Sequence, residues 1–353
     1  MPAGVQVIRA TTDLAHDVAR RIVSQSNPNL DEAAKRLVEN GSSHGVDFRL
    51  AWATADTGGL GNSLRVRQAC LIVPGAGRTA MVFLSEPVRT GDLGGAATAR
   101  LERAHAIATG CKALAREMQD RLVLVQSLPA LDERWCIDAL SDAGFQSVGS
   151  LMYMRRAPRT NDAKLTLGSD LGKVEWPSGV EVVSVRQWEA SSCGVAAKAA
   201  HGCGTVDEAL IAAMDASYIE TLDCPELCGL RSTSDILTSH KATGIHDPSL
   251  WWIVMYEGKP HGCALFSPCP DQRSFELVYL GLSPALRGKG LGLKLMRHGI
   301  GECAKINSTW SMACAVDERN GPAIKLYESL QFRGFSRRAA LVCSLREIAH
   351  SKT

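Results

Sequence analysis

The stretch from Phe275 to Gly292, FELVYLGLSPALRGKGLG, constrains the fold more than any other part of this chain. An apolar run, Phe275 to Leu282, stops at Pro284, and a turn carrying Gly288, Gly290 and Gly292 follows. Leu291, Leu295, Met296, Ile300 and Ala304 then recur at helical spacing. Strand, glycine turn and helix together aim unpaired backbone N–H groups and the positive end of a helix dipole at one spot. Glycine there admits positive φ and close approach of an anion, and Arg287 and Lys289 add charge beside it. The expected architecture is α/β with a mixed sheet, and the turn is expected to hold a pyrophosphate.

Two common phosphate-binding turns do not fit. A Walker A loop needs Lys and then Ser or Thr after its last glycine, whereas Gly292 is followed by Leu293, Lys294 and Leu295. A dinucleotide turn reads G-x-G-x-x-G near the start of a βαβ unit, whereas this one reads R-x-x-G-x-G (Arg287, Gly290, Gly292) late in the chain. Downstream, Trp310 to Val316 reads as a strand, Asp317 to Gly321 as a polar turn and Pro322 to Leu330 as a helix. Asn320 is placed to cap that helix, and Pro322 suits its first turn. Arg338 to Cys343 reads as a last strand.

The R-x-x-G-x-G turn resembles motif A of the GNAT family of acetyl-CoA-dependent N-acetyltransferases. Asn320, Ala323, Leu326, Tyr327, Leu330 and Phe332 are similar to that family's motif B, N-x-x-A-x-x-L-Y-x-x-L-G-F. Gln331 departs from it, standing where the family has glycine. The resemblance covers roughly residues 180 to 345.

The first half of the chain has the same order of elements. Helical patterns fill Thr12 to Asn40, and apolar runs follow at Phe48–Ala53, Leu64–Val73 and Thr79–Leu84. Next come a glycine turn through Gly94, an alanine-rich helix from about Ala97 to Met118, a strand near Leu122–Val125 and a helix at Trp135–Ala143. Ser150–Met154 reads as a last strand. Pro284 lies 197 residues after Pro87, Gly292 198 after Gly94, and Phe332 187 after Phe145. This spacing reads as two GNAT-like acyl-CoA N-acyltransferase domains in tandem. The expected division is a degenerate domain over 1–156, a linker over 157–179 rich in Pro and Gly, and a catalytic domain over 180–353. In this alignment the first turn keeps Arg89 and Gly94, but Asp92 stands opposite Gly290 and Leu140 opposite Tyr327. A carboxylate facing a pyrophosphate is repulsive, so the first domain is expected to lack acetyl transfer of its own.

Size and charge add limits. At 353 residues the chain is long enough for two such domains. A net charge of +2 gives no reason to expect nucleic acid or membrane as a partner. No apolar run reaches the length of a membrane span, and the first ten residues lack the form of a signal peptide; a cytoplasmic location is expected. The 12 cysteines include no C-x-x-C pair, so neither a disulfide framework nor a metal site is expected.

The resemblance implies a division of labour in the second half. Backbone N–H groups of Leu280, Gly281 and Leu282, on a bulged strand, would meet the pantetheine arm and the thioester carbonyl. Arg287, Gly288, Lys289, Gly290, Leu291 and Gly292 would hold the pyrophosphate of coenzyme A. Asn320 would contact the cofactor or cap its helix, and Tyr327 would protonate the departing thiolate. Glu276, flanked by apolar residues that should raise its pKa, would take the proton of the acceptor amine. No metal is implied. The acceptor, a small-molecule or peptide amine, would bind against residues 187–247, and neither its identity nor the acyl length is readable. A chain that binds acyl-CoA as a sensor without catalysis would need only Arg287 to Gly292; Glu276, Asn320 and Tyr327 are what an enzyme adds.

Overall fold

The computed structural model describes residues 1–56, 64–88, 91–167, 176–191 and 204–350; Arg89 of the first turn lies outside them. The elements run β1 (Val5–Arg9), α1 (Ala15–Ile22), α2 (Leu30–Asn40), β2 (Ala51–Asp56), β3 (Arg65–Gly75), β4 (Thr79–Leu84), α3 (Gly95–Glu117), β5 (Leu124–Ser127), α4 (Arg134–Asp142) and β6 (Gln146–Arg156). They continue with β7 (Val180–Ser184), α5 (Val185–Ser191), α6 (Val206–Tyr218), α7 (Thr233–Lys241), β8 (Trp251–Tyr256), β9 (Lys259–Cys269), β10 (Ser274–Leu282), α8 (Leu291–Ile306), β11 (Ser311–Asp317), α9 (Gly321–Ser329), β12 (Arg333–Ser344) and α10 (Leu345–His350). By internal contacts they form two units, Met1–Gly149 with Arg338–Thr353, and Ser150–Arg337.

The repeat seen in the sequence is a repeat of structure. In the first unit β1 to β4 form an antiparallel ladder and β5 joins β4 in parallel. In the second, β7 to β10 are antiparallel and β11 joins β10 in parallel. A short turn precedes β2 and β8, capped in each case by an aspartate: Asp47 accepts from the Arg49 N–H and Asp247 from the Ser249 N–H, both at 2.9 Å. Buried apolar residues on the long helices α3 and α8 and on the strand faces (Trp52, Ile72 and Ile107; Trp252, Phe266 and Ile300) form a separate core in each unit.

The last strands are exchanged relative to the expected 156/180 division. Leu151–Arg156 of β6 pair with β11 in the second unit, and Leu341–Ser344 of β12 pair with β5 in the first. Each strand carries a continuous apolar run, Leu151–Met154 in β6 and Ala339–Cys343 in β12, which suits either sheet, and the sequence carries no register signal to choose between them. The described part of 157–179 is tied into the second unit. Asp162 accepts two bonds of 2.6 Å from the Arg156 guanidinium, and the Leu167 N–H donates to Nδ1 of buried His298 at 3.1 Å.

The first turn differs from the second in a way the alignment misplaced. Helix α3 is capped by Gly94 at φ 78° and α8 by Gly290 at φ 74°, so Gly94 matches Gly290 and Asp92 falls near the place of Gly288. Asp92 does not point outward. Its carboxylate, 5% exposed, lies 3.0 Å from Arg103 and 3.4 Å from Arg21, and Gln68 donates to it at 3.0 Å. Burial alone would raise its pKa, but Gln68, Arg103 and Arg21 outweigh that and hold it below the usual carboxylate range. The first unit thus supplies its own anion to its buried arginines. Asp92→Asn leaves both guanidiniums their carbonyl acceptors but removes the negative charge they share, and is expected to destabilise the protein by about 3–5 kcal/mol, read as a lower urea midpoint at constant slope. A midpoint equal to that of the unaltered protein would contradict this.

Candidate functional site

The turn between β10 and α8 is built from glycine for backbone reasons. Gly288 and Gly290 have φ of 73° and 74°, and a Cβ at either would meet no atom within 4 Å. Conformation, not crowding, excludes a side chain there, and the space beside the turn is open. The first N–H to close a helical bond here is that of Lys294, to the Gly290 carbonyl at 3.2 Å, which leaves the N–H groups of Leu291, Gly292 and Leu293 for another acceptor. Leu291 is buried and anchors the helix start. A Cβ on Gly292 would make only ordinary contact with Leu326, 3.4 Å away. The Lys289 ammonium lies 5.8 Å from the Tyr256 ring centre.

Arg287 has a role the sequence did not show. Its guanidinium donates to four backbone carbonyls, of Leu282 (2.9 Å), Glu220 (3.0 Å), Ser217 (2.8 Å) and Ile219 (2.8 Å). It ties the C-terminal end of α6 and the loop after it to the glycine turn, and its charge complements the negative end of that helix.

Strand β10 departs from regular pairing on both sides. Against β9 the register slips between Leu277 and Tyr279, then runs evenly from Tyr279 to Leu282. The bulge therefore lies at Val278, ahead of the expected Leu280–Leu282 stretch. The extra residue brings Glu276 and Tyr279, three positions apart, onto one face. Gly281 is glycine for a different reason: a Cβ there would lie 2.5 Å from the Tyr279 hydroxyl and 2.6 Å from the Ser217 hydroxyl. Those two hydroxyls hydrogen-bond at 2.7 Å. Against β11 the ladder ends at the Glu276–Ala313 pair, although β10 continues to Leu282 and β11 to Asp317. The strands part beyond that point, leaving polar backbone of Leu280 to Leu282 without a strand partner on that side.

The side chains expected to carry chemistry sit around this split. Tyr327 on α9 is 6% exposed, with its ring 5.8 Å from that of Phe332. Burial, and then the charges of Cys314 and Asp223, push its phenol well above the usual range, so it keeps its proton. Asn320 caps α9, accepting from the Ala323 N–H at 3.2 Å. Gln331, at the exit of that helix, has φ 69°, the left-handed conformation for which glycine is the usual residue. Glu276 pairs in register with Ala313, which pairs with Arg155. Burial raises the Glu276 pKa, and Arg155 offsets part of that.

Several residues of this face carried no sequence signal beyond lying in a polar stretch. The His240 ring stacks on Tyr279 at 5.5 Å and Tyr218 meets the same ring edge-on at 6.0 Å. Burial and then Arg231 push the His240 pKa down to about 4, so it is neutral at physiological pH. In the loop after α6, Asp223 accepts from the Asp317 N–H at 2.8 Å, and Asp317 accepts from the Cys224 N–H at 3.0 Å. Among the described residues no group of three or more His, Cys, Asp and Glu is arranged to hold a metal, and no helix is long and apolar enough to cross a membrane.

Comparison with known proteins gives this arrangement a family. Residues 217–332 match the family model described as the acetyltransferase (GNAT) family. That stretch, from the end of α6 to the end of motif B, is a GNAT domain. The whole chain aligns with a GCN5-related N-acetyltransferase from Sphaerobacter thermophilus at 16% identity and TM-score 0.54, covering 98% of this chain and 97% of that one. The fold is thus of the GNAT type in two tandem GNAT-like domains. The chain also aligns with a tandem GNAT protein from the clavulanic acid biosynthesis pathway (15% identity, TM-score 0.45, 97% and 98% covered). A GCN5-related N-acetyltransferase from Kribbella flavida aligns over 78% of this chain and 86% of its own (17% identity, TM-score 0.40). No curated protein matches the chain.

Proposed function

We propose that the second unit binds acetyl-CoA and transfers its acetyl group directly to an amine, on a small molecule or a peptide, and that the first unit does not catalyse. The observation that carries this reading is the glycine turn at the start of α8, joined directly to a strand that parts from its neighbour. A pyrophosphate fits the turn: Gly288 and Gly290 leave open space, the first-turn N–H groups of α8 lack intrahelical acceptors, and Lys289 is beside them. Coenzyme A would be held by the backbone from Gly288 to Gly292, and its acyl thioester supplies the activated carbonyl.

The chain's own groups account for the rest. Backbone of Leu280, Gly281 and Leu282 at the split can bond the extended arm and polarise the carbonyl. Tyr327, kept protonated by burial, donates to the sulfur as it leaves. A base or a water chain must take the proton that the acceptor ammonium loses, and Glu276, whose pKa burial raises, is the candidate that the sequence points to. In the first unit Leu140 stands at the position of Tyr327 and Asp92 is paired inward, which supports a role in shape or substrate access. The test is release of free thiol from acetyl-CoA on addition of amines, with the acylated product identified by mass. Binding of acetyl-CoA without thiol release for any amine would favour a sensor.

A further inference from the structure

Glu276 and Asp223 stand at opposite ends of the split between β10 and β11. Glu276 is the last residue of β10 paired with β11, at the closed end. Asp223 is fastened to the other end: its Oδ1 accepts from the N–H of Asp317, the last residue of β11. Asp317 lies four residues beyond Ala313, about 13 Å along an extended strand.

Three features hold Asp223 in place. Its own N–H donates to the Thr221 hydroxyl at 3.2 Å. The next residue, Cys224, has φ 43° and donates its N–H to Asp317 Oδ2. Arg287 fixes the start of the loop through the Ile219 and Glu220 carbonyls. The residue as a whole remains open to solvent, although protein atoms pack around its carboxylate. Its charge is felt at Tyr327 on α9 and at Tyr279 on β10, and Cys314 on β11, between the two ends, feels both Glu276 and Asp223.

We infer that Asp223, rather than Glu276, is the base that takes the proton of the acceptor ammonium, an inference that rests on the acetyltransferase reading above. The ammonium gives one proton to a carboxylate oxygen of Asp223, which passes it to solvent. The freed nitrogen lone pair forms the N–C bond at the thioester carbonyl as the C–S bond breaks. The sulfur leaves with the proton of Tyr327, and the second proton lost by the nitrogen restores the phenol. Protein atoms packed around the carboxylate raise the Asp223 pKa, the Asp317 N–H opposes this, the charge of Asp317 adds to it, and Arg319 opposes it. The net rise places the acidic limb of kcat/KM above the usual carboxylate range, with rate lost as pH falls through it.

The experiment compares Asp223→Asn, Asp223→Glu and Glu276→Gln in the full chain. Thiol release from acetyl-CoA is followed against pH with a panel of aliphatic diamines, aminoglycosides and lysine-containing peptides. Asparagine keeps an oxygen for the Asp317 N–H, so the loop and coenzyme A affinity should be preserved. Asp223→Asn is expected to lower kcat/KM at neutral pH by about 10²-fold or more and to abolish the acidic limb. Asp223→Glu should recover part of both, and Glu276→Gln should leave the limb in place. An acidic limb intact in Asp223→Asn but lost in Glu276→Gln would overturn the assignment alone. Absence of thiol release by the unaltered protein with every amine would overturn the transferase reading and this assignment with it.

Discussion

Replacing Tyr327 with phenylalanine lowers the maximal rate of acetyl transfer by about 10²–10⁴-fold, the usual contribution of one general acid, while fold and coenzyme A affinity stay unchanged. The substitution removes one hydroxyl and keeps the ring that packs against Phe332, so the core of the second unit is left filled. The loss arises because the thiolate must otherwise depart without the phenol as its proton donor. Burial holds the phenol well above its usual pKa, so Tyr327 stays protonated from pH 6 to 9 and imposes no basic limb of its own in that range. Single-turnover rates across that interval check the prediction. Equal rates for variant and unaltered protein, with chemistry rate-limiting, would remove Tyr327 from the mechanism.

Gly290→Asp is expected to weaken coenzyme A binding by about 10²-fold or more, through two separable effects. The left-handed backbone at φ 74° costs a residue with a Cβ about 1–2 kcal/mol, and to the extent that the free turn relaxes to escape this strain it weakens binding by up to roughly tenfold. The carboxylate adds repulsion at the mouth of a turn that would bind phosphate. Gly290→Ala isolates the first effect, since a Cβ there meets no neighbouring atom. Titration of the three proteins with coenzyme A should rank them glycine, alanine, aspartate. An aspartate variant binding as tightly as the glycine protein would show that the anion lies elsewhere.

How much of this was legible in the sequence follows the range of each signal. The glycine turn, the helix after it and the Asn320 cap depend on neighbours within a few residues and appear where expected. By contrast, β6 and β12 begin at Gln146 and Arg333, ahead of the expected Ser150 and Arg338, and β1, β7, β8 and β9 are not among the expected strands. The spacing of 187 residues between Phe145 and Phe332 also aligns Arg134–Asp142 with Gly321–Ser329 end to end. Other features depend on partners distant in sequence. The exchange of β6 and β12 turns on which sheet accepts each strand, and a short apolar run in each does not decide that. Gly281 reads as a bulge glycine until Tyr279 and Ser217 are seen to occupy the space of its missing side chain. Arg287 reads as a phosphate ligand until its guanidinium is found on four carbonyls, three of them 67 to 70 residues away. Asp223 had no motif, and only its bond to Asp317 brings it to the split.

The central claim is that one chain holds one acyl-CoA, in the second unit, at the turn from Gly288 to Gly292. Isothermal titration of the full-length protein with acetyl-CoA tests it most directly. One site per chain is expected, weakened by Gly290→Asp, because the first unit already satisfies its buried arginines with Asp92. Two equivalent sites per chain, or a single site that Gly290→Asp leaves untouched, would contradict it.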